Sequence, residues 1–146
     1  MAQFKRTLLA EDGVARVETE CLGNNTQQYF SRHVGALVKM TANSFIACAA
    51  GDDIGGQIVH MEGATINDGF SYGSVKKDRR IQVIVGADGD TNAVTVGATV
   101  VADVQPDLVT GGVGHVKVGT GVRHKWEVIA ISGAGAAGDI ALLQKV

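Results

Sequence analysis

Ile81–Asp103 reads IQVIVGADGDTNAVTVGATVVAD, and this stretch decides the fold. Two apolar runs rich in β-branched residues, Ile81-Gln82-Val83-Ile84-Val85 and Ala93-Val94-Thr95-Val96, flank Gly86-Ala87-Asp88-Gly89-Asp90-Thr91-Asn92. Val and Ile lose χ1 freedom in a helix but pack well on a pleated sheet. Asp-Gly between such runs is a hairpin signal, because glycine takes positive φ without steric cost. A third run, Thr99-Val100-Val101-Ala102, follows Gly97-Ala98. The expectation is a meander of short strands, and with it an all-β chain. Nothing in the stretch is a catalytic constellation.

Outward from this centre the same pattern repeats. His33–Met40, Phe45–Ala49, Gln57–Met61 and Phe70–Val75 precede it, while Gly114–Val118, Lys125–Ser132 and Asp139–Leu143 follow. Turn chemistry separates them, no window holds a helical period, and the longest central loop, Asp103–Gly112, carries Pro106, the only proline. This predicts a single small β-barrel or β-sandwich of short antiparallel strands over residues 29–146. Residues 1–28 read differently: Phe4, Leu8 and Leu9 are scattered among charges without a clean period. They are expected to form an extended arm or an edge strand, removable up to Asn24 without unfolding the rest.

Composition narrows the function. The 146 residues suit one domain, with 20 glycines for tight turns and only 5% aromatics, too few for a surface that stacks bases or sugars. A net charge of −2 gives no global attraction to nucleic acid or to an anionic membrane. Cys21 and Cys48 make neither a disulfide framework nor a CxxC site, so they read as free thiols. No apolar run has the length of a signal peptide or a membrane span, which points to folding in a cytosol.

Several motifs dissolve on inspection. Gly133-Ala134-Gly135-Ala136-Ala137-Gly138 is a literal GxGxxG after a strand. Dinucleotide binding requires a following helix, a further strand and an acidic residue about 20 positions on. Only eight residues remain, so the motif reads as a turn. Asp88–Asn92 begins like a calcium loop but has Ala93 and Thr99 where glycine and glutamate are required. His33, His60, His115 and His124 lack zinc-ligand spacing, and His33 and His60 read as solvent-facing strand residues. Asp52-Asp53, in a Gly-flanked turn, read as solvated turn residues. No nucleophile elbow is present, so no catalytic residue, cofactor or metal is predicted.

Two features point to contact with a partner. Lys76-Lys77-Asp78-Arg79-Arg80 is the one concentrated charge run. It suits either contact with a phosphate or acidic protein, or protection of an exposed edge beside Ile81–Val85. Trp126, the single tryptophan, suits core and interface equally. An internal echo also stands out: Val34-Gly35-Ala36 is answered by Val96-Gly97-Ala98, and Ala49-Ala50-Gly51-Asp52 by Ala136-Ala137-Gly138-Asp139. Duplication and the ordinary recurrence of small turn residues both account for it.

The succession Val96–Ala102, Gly114-His115-Val116-Lys117-Val118-Gly119, Trp126–Ile131 and Ala134–Leu142 resembles the small capsid decoration, or cement, proteins of tailed bacteriophages. Gly35–Lys39 and Gly51–Val59 are similar in the first half. The resemblance implies a non-enzymatic virion protein on the outer capsid surface, assembled in the host cytoplasm. It would bind the major capsid protein, bridge neighbouring subunits, and act as a dimer or trimer without touching nucleic acid or membrane. It gives the arm a role, with Phe4, Leu8 and Leu9 filling a groove and Lys5 and Arg6 meeting acidic neighbours. Lys76, Lys77, Arg79, Arg80 and Trp126 complete the expected interface. A trimeric tail or fibre component contacting other tail proteins or host glycan is the alternative, and a small enzyme using dispersed His and Asp residues is the third.

Overall fold

The computed structural model describes residues 17–23, 29–42, 44–67 and 70–146. Among the described residues ten strands form: β1 (Val17–Leu22), β2 (Leu37–Met40), β3 (Phe45–Ala47), β4 (Gly56–Asn67), β5 (Phe70–Lys76), β6 (Arg80–Val85), β7 (Thr99–Ala102), β8 (His115–Val118), β9 (Trp126–Ile131) and β10 (Ile140–Lys145). The chain is all-β, and it closes into two five-stranded barrels rather than one. The first runs β1-β3-β2-β4-β5 and the second β6-β8-β7-β9-β10, each closed by pairing of its last strand with its first.

The alternating pattern explains the strands. In β6, Arg80 and Gln82 face solvent while Ile81, Val83 and Val85 are buried. Ala141 and Leu143 do the same on β10. β2 departs from alternation because both of its sides are covered. Val38 enters the first core with Leu22, Tyr29, Phe45, Ile58, Met61 and Val75, whereas Leu37 enters the second. There it joins Cys48 and Ile54 from the first half against Val100, Val116, Trp126 and Val128. Gly114 sits against Leu37, in space that a Cβ would take from its side chain.

The two barrels share one strand topology. In each, the first strand runs parallel to the third and every other pairing is antiparallel. Gly35 N–H donates to Ile58 O at 2.7 Å, and Gly97 N–H to Val128 O at 2.8 Å. Ala36 O and Ala98 O accept the return bonds at 3.0 and 2.9 Å. Gly23 and Gly86 donate to Phe45 O and Val116 O, both at 2.8 Å. Even the irregularity matches: Val59 on β4 and Ile129 on β9 are each the extra residue of a bulge against the last strand of their barrel. The Val-Gly-Ala echo therefore falls on equivalent turns, with φ +97° at Gly35 and +90° at Gly97, where a side chain would strain the backbone. The Ala-Ala-Gly-Asp echo does not. It lies between β3 and β4 in one half and between β9 and β10 in the other.

Three expectations are corrected. The run Ala93–Val96 is not a strand, and no hairpin joins it to β6; Ala87–Asp90 is instead a short 3-10 helix. Gly89 serves close packing there, since a Cβ would strike Val85, and Val94 is buried with its N–H bonded to Gly135 O at 3.0 Å. The meander is absent, because β6 pairs in parallel with β8, and β7 lies between β8 and β9. Finally, Val17–Leu22, inside the stretch read as an arm or an edge strand, is a strand of a closed barrel; it pairs with β5 over six positions, and Leu22 is fully buried.

Candidate functional site

The chemistry-bearing residues gather where the two barrels meet. Gly51 N–H donates to Ala102 O at 2.8 Å and Ala102 N–H to Asp52 O at 3.0 Å, a ladder between the barrels. Asp52 Oδ2 accepts from Lys39 Nζ at 2.6 Å and from Ala49 N–H at 2.7 Å. Asp53 reaches across to the loop between β8 and β9. Its carboxylate accepts from the N–H groups of Val122 at 2.9 Å, Arg123 at 2.6 Å and His124 at 3.4 Å. Partial burial raises the pKa of both carboxylates, but hydrogen bonds outweigh it. Lys39 and Ala49 N–H hold Asp52 below its ordinary value, and the Arg123, Val122 and His124 N–H groups do so for Asp53. Asp52 and Asp53 are thus joint residues and not solvated turn residues.

An open cleft of about 370 Å³ follows this joint, lined by Lys39, Met40, Asp52, Asp53, Arg123 and His124 among others. A smaller cleft of about 270 Å³ shares Met40, Gly55 and His124 with it and is also lined by Phe45, Lys77 and Lys145. His124 is pushed below its ordinary pKa by burial first and the nearby Lys145 charge second. Most carboxylates here are already engaged by the protein, Glu20 by an ion pair with Lys77. Trp126 lies behind the joint, fully buried, with its Nε1–H donating to Ile54 O at 2.9 Å.

The predicted positions divide. Phe4, Lys5, Arg6, Leu8 and Leu9 lie outside the described residues. Lys76 ends β5, Arg80 begins β6, and Lys77 and Arg79 lie in the short connection between them, where one barrel passes into the next. Trp126 belongs to the core and presents no surface to a partner. His33 is corrected too. It ends a 3-10 turn and is buried, its Nδ1 accepting from Phe30 N–H at 2.8 Å and its Nε2–H donating to Leu108 O at 2.6 Å. It pins the Pro106 loop to the first barrel. His60 is exposed beside Glu62 at 3.9 Å. In the glycine-rich turn, the Asp139 carboxylate accepts from Gly135 N–H at 2.9 Å and Ala136 N–H at 3.1 Å. A nest that would cradle a phosphate is filled by the chain's own carboxylate.

Among the described residues no group of three or more His, Cys, Asp or Glu side chains is placed to hold a metal ion. No described helix is long and apolar enough to cross a membrane. Comparison with protein-family models, curated proteins and solved structures finds no match.

Proposed function

We propose that this chain is a structural virion protein of a tailed phage, binding the outer capsid surface and bridging neighbouring major capsid proteins against internal DNA pressure. The observation that supports this reading is the doubled barrel. One chain carries the same five-stranded topology twice, joined by the Gly51–Ala102 ladder and the Asp53 bonds. A shell built of repeated subunits offers the same surface at a fixed spacing, and a doubled unit can engage two neighbours at once. The second contact is then intramolecular, and its affinity gains from effective concentration.

The test is titration of the purified protein into undecorated shells of the phage that encodes it, followed by pelleting. Saturable binding at a fixed ratio to the major capsid protein is expected, together with greater resistance of the shells to heat. Absence of saturable binding overturns the reading.

A further inference from the structure

The run Lys76–Arg80 is not an isolated loop, because the C-terminal strand brings more cations to it. Lys145 N–H donates to Arg79 O at 3.0 Å, and Lys145 Nζ donates to Lys77 O at 3.1 Å. Arg80 lies opposite Gln144 in the ladder, and Val146 N–H donates to Lys125 O at 2.9 Å. Lys77, Arg79, Arg80, Lys125 and Lys145 therefore gather at one end of the second barrel, with Lys76 at the adjoining end of β5, six of the 13 Lys and Arg residues in a chain of net charge −2. Lys77 is engaged by Glu20. Arg79, Arg80 and Lys125 are exposed.

A second observation singles out Arg79. It is the one non-glycine residue among those described with positive φ, at +68°. Glycine adopts that conformation freely and arginine does not. Such outliers concentrate where function holds a side chain in place. Here the strained residue sits at the centre of the cationic surface.

We propose that this surface is a docking site for a carboxylate-rich face of a protein partner. Guanidinium groups recognise carboxylates through paired hydrogen bonds, and like charges on the patch reject cationic surfaces. The rest of the chain is net negative, so a long polyanion extending past the patch is repelled, which favours a local acidic surface over duplex nucleic acid. Only the partner's identity as the major capsid protein rests on the function proposed above.

The test uses the full chain and two variants, the triple reversal R79E/R80E/K125E and Arg79→Gly. Retention is measured on immobilised polyglutamate and on duplex DNA at rising salt, and binding is measured on undecorated shells. Wild type is expected to bind polyglutamate in a salt-sensitive way and more tightly than DNA. The triple variant is expected to lose about tenfold or more on polyglutamate and on shells. Arg79→Gly is expected to melt no lower than wild type while binding polyglutamate more weakly. Undiminished binding by both variants, stronger retention on DNA, or no wild-type binding to polyglutamate overturns the proposal. Polyglutamate binding that behaves as expected, with no wild-type binding to shells, instead refutes the capsid reading and leaves the acidic-partner surface standing.

Discussion

Asp53 of the first barrel lies 2.6 Å from the backbone N–H of Arg123 in the second, at the head of three such bonds that tie the halves together. Replacing the carboxylate leaves those donors to water. Asp53→Ala is expected to cost about 1–2 kcal/mol, the range for a lost charge-assisted cap. The pH dependence has a definite sign. A carboxyl whose folded pKa lies below the unfolded value of about 3.8 stabilises fully above that value, and the contribution disappears as pH falls through the folded pKa. The melting-temperature gap between wild type and Asp53→Ala should therefore be constant from pH 7 to about 5 and narrow in stronger acid. A gap that widens in acid would contradict this account.

Trp126 reports the joint directly, because its ring is fully buried and its N–H is held by Ile54 O. Trp126→Phe is expected to cost about 1–3 kcal/mol by leaving that carbonyl unpaired and the core underfilled. Emission of the native protein should lie at short wavelength and shift red on unfolding.

The shared core predicts one cooperative transition. Leu37, Cys48 and Ile54 belong to the first half yet pack in the second core. Ile58→Ala, a truncation deep in the first barrel, should cost about 2–4 kcal/mol. It should lower the midpoint seen by Trp126 fluorescence in the second barrel and by circular dichroism alike. Separate midpoints for the two probes would mean that the barrels unfold independently.

Truncation tests the expectation of an N-terminal arm against the observed barrel strand. Removing residues 1–14 leaves β1 and its pairing with β5 intact, so the melting transition should persist. Removing residues 1–24 strips β1 and exposes the edges of β3 and β5; loss of the cooperative transition or aggregation is expected. Any segment removable without loss of the barrel therefore ends short of Val17.

Cys48 is a chemical probe of packing. Burial, helped by the charge of Asp52, pushes its thiol up to about 12. At pH 8 its thiolate population is then ~1,000-fold below that of an ordinary thiol. A thiol-specific reagent should modify Cys48 only after denaturant is added, and rapid modification of Cys48 in the native state would refute the burial.

What the chain itself determined was local. Alternation of Ile81, Val83 and Val85 with Gln82 specifies a strand with one buried face, and Val-Gly-Ala marked the equivalent turns of both halves. Period-two patterning reflects only neighbouring residues and a core on one side, so it is visible in a short window. Which strands meet was decided by the tertiary structure. The parallel pairing of β6 with β8 joins segments on either side of β7, and no local preference distinguishes that partner from β7. Asp53 and Trp126 show the same limit. A carboxylate in a glycine-flanked turn reads as solvated, and an indole on a strand suits core and interface equally. Donors from Val122–His124 and the Ile54 carbonyl, remote in sequence, resolve each case by supplying hydrogen bonds that exist only once both barrels have closed.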